Sequence, residues 1–326
     1  MSNLNYIKNV AVVGASGNSG SYMTECLIKT GKHIVTAITR GGAEQTLPSG
    51  IHHVKSVDYN NPQTIVDALR GQDALVITLG TRAPHDTQSK LIEAAAEAGV
   101  QWILPNGWSP DSNPDGPSAG CVKDVFPFAA KTDVREFIKK IGKSSFIDVH
   151  TGFWYEWSMA IPASFGFDFE NKSVTFFDDG NTKISSSTWP QVGRAVAALL
   201  SLPIHSQSGG CLNNYRNQLV YVNSFTISQQ DMFDSVLRVT GTKREDWKIT
   251  NEDSQERYTK AKEGVAKGNY IDFAKMMYTR VFYKDGCGNF EETRGTINDV
   301  LGLSNEDLDE ATKRAIKRSE EKPFGH

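Results

Sequence analysis

The sequence predicts an α/β protein: a doubly wound parallel sheet, followed by a smaller, irregular α+β unit. Three observations carry this expectation. Short apolar runs alternate with helix-length amphipathic segments from residue 9 to about residue 150, and parallel strands need a crossover of that length between them. A glycine triplet, Gly14, Gly17 and Gly20, falls between the first apolar run and the first amphipathic segment. Beyond Gly152 the alternation loosens into aromatic and turn-rich sequence.

Taken in order, "NVAVVG" reads as the first strand. The helix that follows carries Met23, Leu27 and Ile28 at helical spacing and stops near Gly31. "HIVTAITR" is a second strand and "HHVKSVD" a weaker third. In "NNPQTIVDALRG", Asn61 caps a helix, Pro62 fills its first position and Gly71 closes it. "DALVITLG", "VQWILP" and "SSFIDVHTG" are further strands; "HDTQSKLIEAAAEAG" and "PFAAKTDVREFIKKIG" are the helices between them. The Ser/Asn/Asp/Pro-rich stretch from Asn106 to Gly120 is long for an ordered connection and reads as a mobile flap. Later, "QVGRAVAALLSLP" is a helix, and residues 217–241 form a strand leading to a helix capped near Ser228. The tail from Thr242 is polar and helical.

Composition narrows the function classes. The chain has 326 residues, enough for one large or two ordinary domains, and a net charge of −3 that gives no footprint for nucleic acid or an anionic membrane. Four scattered cysteines, without a CxxC pair, suit a reducing compartment and argue against a disulfide framework or a zinc site. Seven histidines, from His33 to His326, show no metal-ligand spacing, so no metal is expected. No apolar run approaches the ~18 residues of a membrane span, and the N-terminal run is too short for a signal peptide. The expectation is a soluble, cytoplasmic protein.

Placed between a strand and a helix, Gly14, Gly17 and Gly20 match a dinucleotide-binding fingerprint of the Rossmann type. The first glycine permits the tight turn, the second lets backbone approach a diphosphate, and the third lets helix pack on strand. Ser16, Asn18 and Ser19 complete the loop, whose amides and helix dipole favour phosphate. A plain structural turn is the competing reading. The second strand ends in Thr39 and Arg40, with no acid until Glu44. A guanidinium suits a 2′-phosphate, which points to NADP(H) rather than NAD(H); the alternative for Arg40 is a solvated loop side chain. Asp58, ending the third strand, either reaches the adenine side or caps the next helix.

These motifs resemble the NmrA-like and isoflavone-reductase-like group of atypical short-chain dehydrogenases, with the fungal NmrA-like branch nearest. "VVGASGNSG", "LIEAAAEAGVQWILPNGW", "KTDVREFIKK", "VHTGFWYEW" and "QVGRAVAALLSLP" carry the resemblance nearly end to end. It implies an NADP(H)-binding domain over residues 1–153, to which the chain returns around 188–224. The rest of 154–326 would be mainly a substrate-binding or lid domain. It also implies a catalytic lysine near the start of the sixth helix, a position held here by Lys131. The ordinary tyrosine four residues earlier is replaced by Pro127, and "PNGWSPD" departs from the Pro-Ser-Glu-Phe-Gly of the plant reductases, so their substrate does not transfer.

Strand ends supply the remaining candidates. Thr78, Leu79, Gly80 and Thr81 follow the fourth strand, on the cofactor side. Lys131 is read as hydrogen-bonding the cofactor ribose and relaying a proton, against an exposed first-turn lysine. His150 and Tyr155 are the other candidate acids, each with a structural alternative. Trp108, Phe153, Trp154 and Trp157 either wall an aromatic substrate pocket or pack as core. The leading function is NADPH-dependent reduction of a small aromatic or polycyclic metabolite. Two others compete: an NADP(H)-sensing regulator with a protein partner or homodimer, and a non-redox isomerase or cyclase that retains the cofactor.

Overall fold

Alternating side chains define the two faces of the main sheet. The computed structural model describes residues 5–41, 46–80 and 82–321; Glu44, Thr81 and His326 lie outside them. Its first half comprises strands β1 (Asn9–Val13), β2 (Ile34–Arg40), β3 (His53–Val57), β4 (Ala74–Ile77), β5 (Trp102–Leu104) and β6 (Ser145–His150). Between them run helices α1 (Asn18–Lys29), α2 (Pro62–Leu69), α3 (Thr87–Ala98), α4 (Ala119–Asp124) and α5 (Phe126–Ile141). Val10, Val12, Ala74, Val76, Trp102, Leu104, Ile147 and Val149 point to one face; Ala11, Val13, Leu75, Ile77, Ile103 and Phe146 point to the other. Both sets are buried, as a parallel sheet covered by helices on both sides requires.

Past β6 the chain continues through β7 (Phe153–Trp154), α6 (Tyr155–Met159), α7 (Pro162–Phe165), β8 (Phe167–Asp168), β9 (Ser173–Phe177) and β10 (Ile184–Ser187). It then returns: α8 (Trp189–Leu200) packs against α1, and β11 (Gln218–Tyr221) pairs in parallel with β6. The sheet therefore has seven parallel strands in the order β11-β6-β5-β4-β1-β2-β3. The remaining elements are β12 (Phe225–Ile227), α9 (Gln229–Thr240), β13 (Lys248–Glu252), α10 (Ser254–Ala266), α11 (Tyr270–Val281), α12 (Phe290–Arg294) and α13 (Leu308–Glu320). Two three-stranded sheets, β12-β10-β7 and β13-β9-β8, share a second core rich in phenylalanine: Phe165, Phe167, Phe176, Phe177, Phe233 and Phe282. Among the described residues no helix is long and apolar enough to cross a membrane.

The stretch from Asn106 to Gly120, expected as a mobile flap, is instead fastened down. Asp111 and Ser112 are buried. Tyr221 and Arg294 both donate to the Asp111 carboxylate, and Arg135 donates to the Ser112 hydroxyl and carbonyl. Its polar residues Asp111 and Ser112 serve buried partners, while residues 114–117 face solvent.

Candidate functional site

The glycine loop forms a cradle at the carboxyl end of β1. Gly14 has φ +81°, and a Cβ there would lie 2.0 Å from the Thr78 carbonyl oxygen. A Cβ on Gly20 would lie 2.1 Å from the Gly14 carbonyl oxygen. Only glycine lets β1, the end of β4 and α1 close this tightly. The Thr78 hydroxyl donates to the Val13 carbonyl at 2.7 Å and locks the turn from behind. Gly17 caps α1 without a side-chain cap, and the first turn of α1 carries no acid. Ser16, Gly17 and Asn18 are exposed, with Ser19 half-buried beside them. The cradle therefore presents the positive end of a helix and backbone donors to an anion, a fit for a dinucleotide diphosphate.

The flanking candidates divide. Arg40 ends β2 with its side chain exposed. Asp58 is turned into the start of α2: its carboxylate accepts from the Asn60 amide, and its own amide donates to Thr64. Leu79 is tied through its amide and carbonyl to the Asn106 side chain, while Gly80 is exposed. Asn106, just after β5, also donates its amide to the Gln88 side chain and so ties the ends of β4 and β5 to the first turn of α3.

Lys131 completes this junction. From α5 its Nζ donates to the Asn106 carbonyl at 2.9 Å. It borders a cavity of about 10 Å³ shared with Gln88, Asn106 and Asp148. Burial lowers the Lys131 ammonium to a pKa of about 8, against the opposing pull of Asp148 and with a push from Arg135. Asp148, 1 % exposed, lies 2.8 Å from Arg135 and 3.6 Å from His150 Nε2. Burial alone would push its carboxyl up, but His150 and Arg135 overcome that and hold it at about 2. Lys131 thus rests on a charged, buried support.

His150 belongs to that support. It is fully buried, its Nδ1 faces the Pro110 carbonyl at 3.0 Å, and its ring stacks on Tyr221. Tyr155 is placed elsewhere, in the second core. Its hydroxyl bonds Thr312 at 2.8 Å, and burial pushes the phenol up, leaving it a poor acid. The aromatic candidates do not gather into one wall. Trp108 donates to the Ile77 carbonyl and packs on the sheet; Phe153 stacks on Tyr278 in the second core; Trp154 is half-buried beside Trp189. Trp157 alone of the four lines a cleft of about 1050 Å³, with Phe167, Phe169, Tyr270 and Arg82 among its walls.

Sequence reading missed Asp148 and Arg135 as parts of the site. Asp148 carries a signal, a lone acid inside an apolar strand, and Arg135 lies one helical turn beyond Lys131. The Asn106–Lys131 bond leaves no pattern in the chain.

Residues 7–198 match the family model described as the NmrA-like family. This chain belongs to that family. It is 26% identical over 313 residues to the oxidoreductase aprR of Aspergillus flavus, covering 94% of this chain and 98% of that protein. Among solved structures, the NADPH-dependent quinone oxidoreductase of Escherichia coli, complexed with NADPH, superposes with a TM-score of 0.66 at 18% identity, covering 93% of this chain and 98% of that one. The leucoanthocyanidin reductase of Vitis vinifera gives a TM-score of 0.72 at 14% identity, covering 95% and 99%. At these identities the structural likeness is one of fold.

Proposed function

We propose that the chain is an NADPH-dependent reductase of a small aromatic or polycyclic molecule, with Lys131 handling the proton. The observation that carries this reading is the placement of Lys131 Nζ, anchored on the Asn106 carbonyl at the ends of β4 and β5, with its ammonium brought down to about 8. NADPH, when bound, supplies a hydride from nicotinamide C4. The chain does the rest. The Gly14–Gly20 cradle holds the diphosphate, and Arg40 stands at the end of β2 where a 2′-phosphate is read. At neutral pH Lys131 is mostly protonated and can donate from Nζ to a ribose hydroxyl or to the substrate oxygen on which charge develops. Asp148, held in turn by Arg135 and His150, keeps the ammonium from falling further. The cleft beside Trp157 offers aromatic walls to the substrate, which fits a C-terminal unit built for binding. A curated relative named as an oxidoreductase, and a neighbour of like fold solved with NADPH, support the same reading.

The test uses NADPH deuterated at C4, one stereoisomer at a time, with the purified protein and a metabolite extract from its source cells. Mass spectrometry is expected to find a product one mass unit heavier than its unlabelled control. Conversion without label from both stereoisomers would overturn the reductase reading in favour of non-redox catalysis. Tight NADPH binding with no conversion would overturn it in favour of a sensor.

A further inference from the structure

One arginine at the far end of the chain stands at the cofactor cradle. Arg318, in the last turn of α13, donates from Nη2 to the Asn18 side-chain oxygen at 3.2 Å. Asn18 is the first helical residue after the glycine turn. The guanidinium lies 4.4 Å from the Trp189 ring centre and 5.2 Å from that of Trp157. Trp189 in turn stacks on Tyr22 of α1. The fork is therefore held in place by rings from α6 and α8, and its orientation is fixed before any ligand arrives.

Its electrostatic setting is incomplete. A cation beside the positive end of α1 is the wrong sign for that helix terminus. The acid nearest to it among its recorded contacts, Glu321, is 3.6 Å away and mostly exposed, so solvent screens the pair. Nε is buried without a hydrogen-bond partner among the described residues. An anion at the mouth of the cradle would answer the first two features, met by the Nη atoms that face Asn18 and Glu321 rather than by the enclosed Nε. A guanidinium serves that purpose better than an ammonium, because its donors match two phosphate oxygens together.

We propose that Arg318 is a ligand of the cofactor diphosphate, delivered by the C-terminal helix across the cleft. This rests on the NADP(H) reading above. It adds to the cradle a charged contact from the part of the chain that also walls the substrate cleft, since Trp157 and Ser319 line it. Cofactor occupancy then strengthens the existing tie between α13 and α1, beside the substrate cleft.

The experiment measures dissociation constants of NADPH and of NADH by titration of the purified full chain, for the wild type, Arg318→Gln and Arg318→Lys. Both cofactors carry the diphosphate and only NADPH the 2′-phosphate. Arg318→Gln is expected to weaken both by roughly tenfold or more, and Arg318→Lys to weaken both by less. The apo melting temperature and near-ultraviolet circular dichroism of Trp157 and Trp189 report whether each variant is folded. Arg318→Lys keeps the charge and the aliphatic stem over the rings, so a loss of affinity there is a loss of the fork. Unchanged affinity in a folded Arg318→Gln overturns the proposal, and so does a loss confined to NADPH, which would move the contact to the 2′-phosphate. A wild type that binds neither cofactor overturns the NADP(H) reading itself, a result separable from the first.

Discussion

At the scale of single residues the site depends on two displaced charges: burial lowers Lys131, while His150 and Arg135 lower Asp148 against burial. If Lys131 is the acid, turnover needs its protonated form, so kcat should fall as pH rises through about 8. Lys131→Met should lower kcat roughly a hundredfold and remove that limb of the pH profile, while NADPH affinity changes only modestly; a profile unchanged by the substitution would exclude the role. Asp148 makes a different prediction. Its folded pKa lies below the unfolded value near 3.8. Its stabilisation is therefore complete above that value and is lost as pH falls towards about 2. Asp148→Asn should leave Arg135 buried without its partner and cost about 3–5 kcal/mol at neutral pH. It should also flatten the dependence of stability on pH between 4 and 2, both measurable by urea denaturation. Lys131 is legible in the sequence because it holds the position that the family resemblance assigns to a catalytic lysine. Its anchor is not, because a lysine meeting a loop carbonyl 25 positions away obeys no period.

Elements were more legible than side chains, because hydrophobic period and terminal residues encode them locally. Pro62 does begin α2, and Ser228 does cap α9, where its hydroxyl accepts from the Asp231 amide and the Asp231 carboxylate accepts from the Ser228 amide. Ser228→Ala should lower stability by about 1 kcal/mol with kcat/KM unchanged, since the cap lies outside the proposed site. The contact of α8 with α1 is less visible in sequence. Gly193 sits where a Cβ would come 2.6 Å from the Tyr22 carbonyl oxygen. Gly193→Ala should cost about 1–3 kcal/mol by forcing the helices apart, read as a lower denaturation midpoint. The Asn106–Gly120 stretch was misread for a physical reason. Turn-forming residues look alike whether they meet water or a distant arginine, and here Arg135 and Arg294 supply the partners.

Across the whole molecule the chain crosses between its two cores more than once. Residues 153–187 build the small sheets, 189–221 return to the large one, and later elements go back again. Such interleaving favours a single cooperative transition. Far-ultraviolet and near-ultraviolet signals should report the same unfolding midpoint, and two separated transitions would show the units to be independent. The fold class was readable in advance, and so was a return of the chain to the first sheet around 188–224, but nothing local in residues 218–221 announces that they pair with β6.

That late return bears on how the protein is made. Val192, Val196, Leu199 and Leu200 of α8 cover the same sheet face as Val10, Val12 and Val76. On the ribosome, strands β1 to β6 emerge well before this cover does. For that interval the nascent chain has only α1, through Met23 and Leu27, on one face of its sheet, and the rest is a surface suited to chaperone capture or to sticking to its neighbours. A gene trimmed at the first apparent boundary, after residue 153, would fix the chain in that unfinished form.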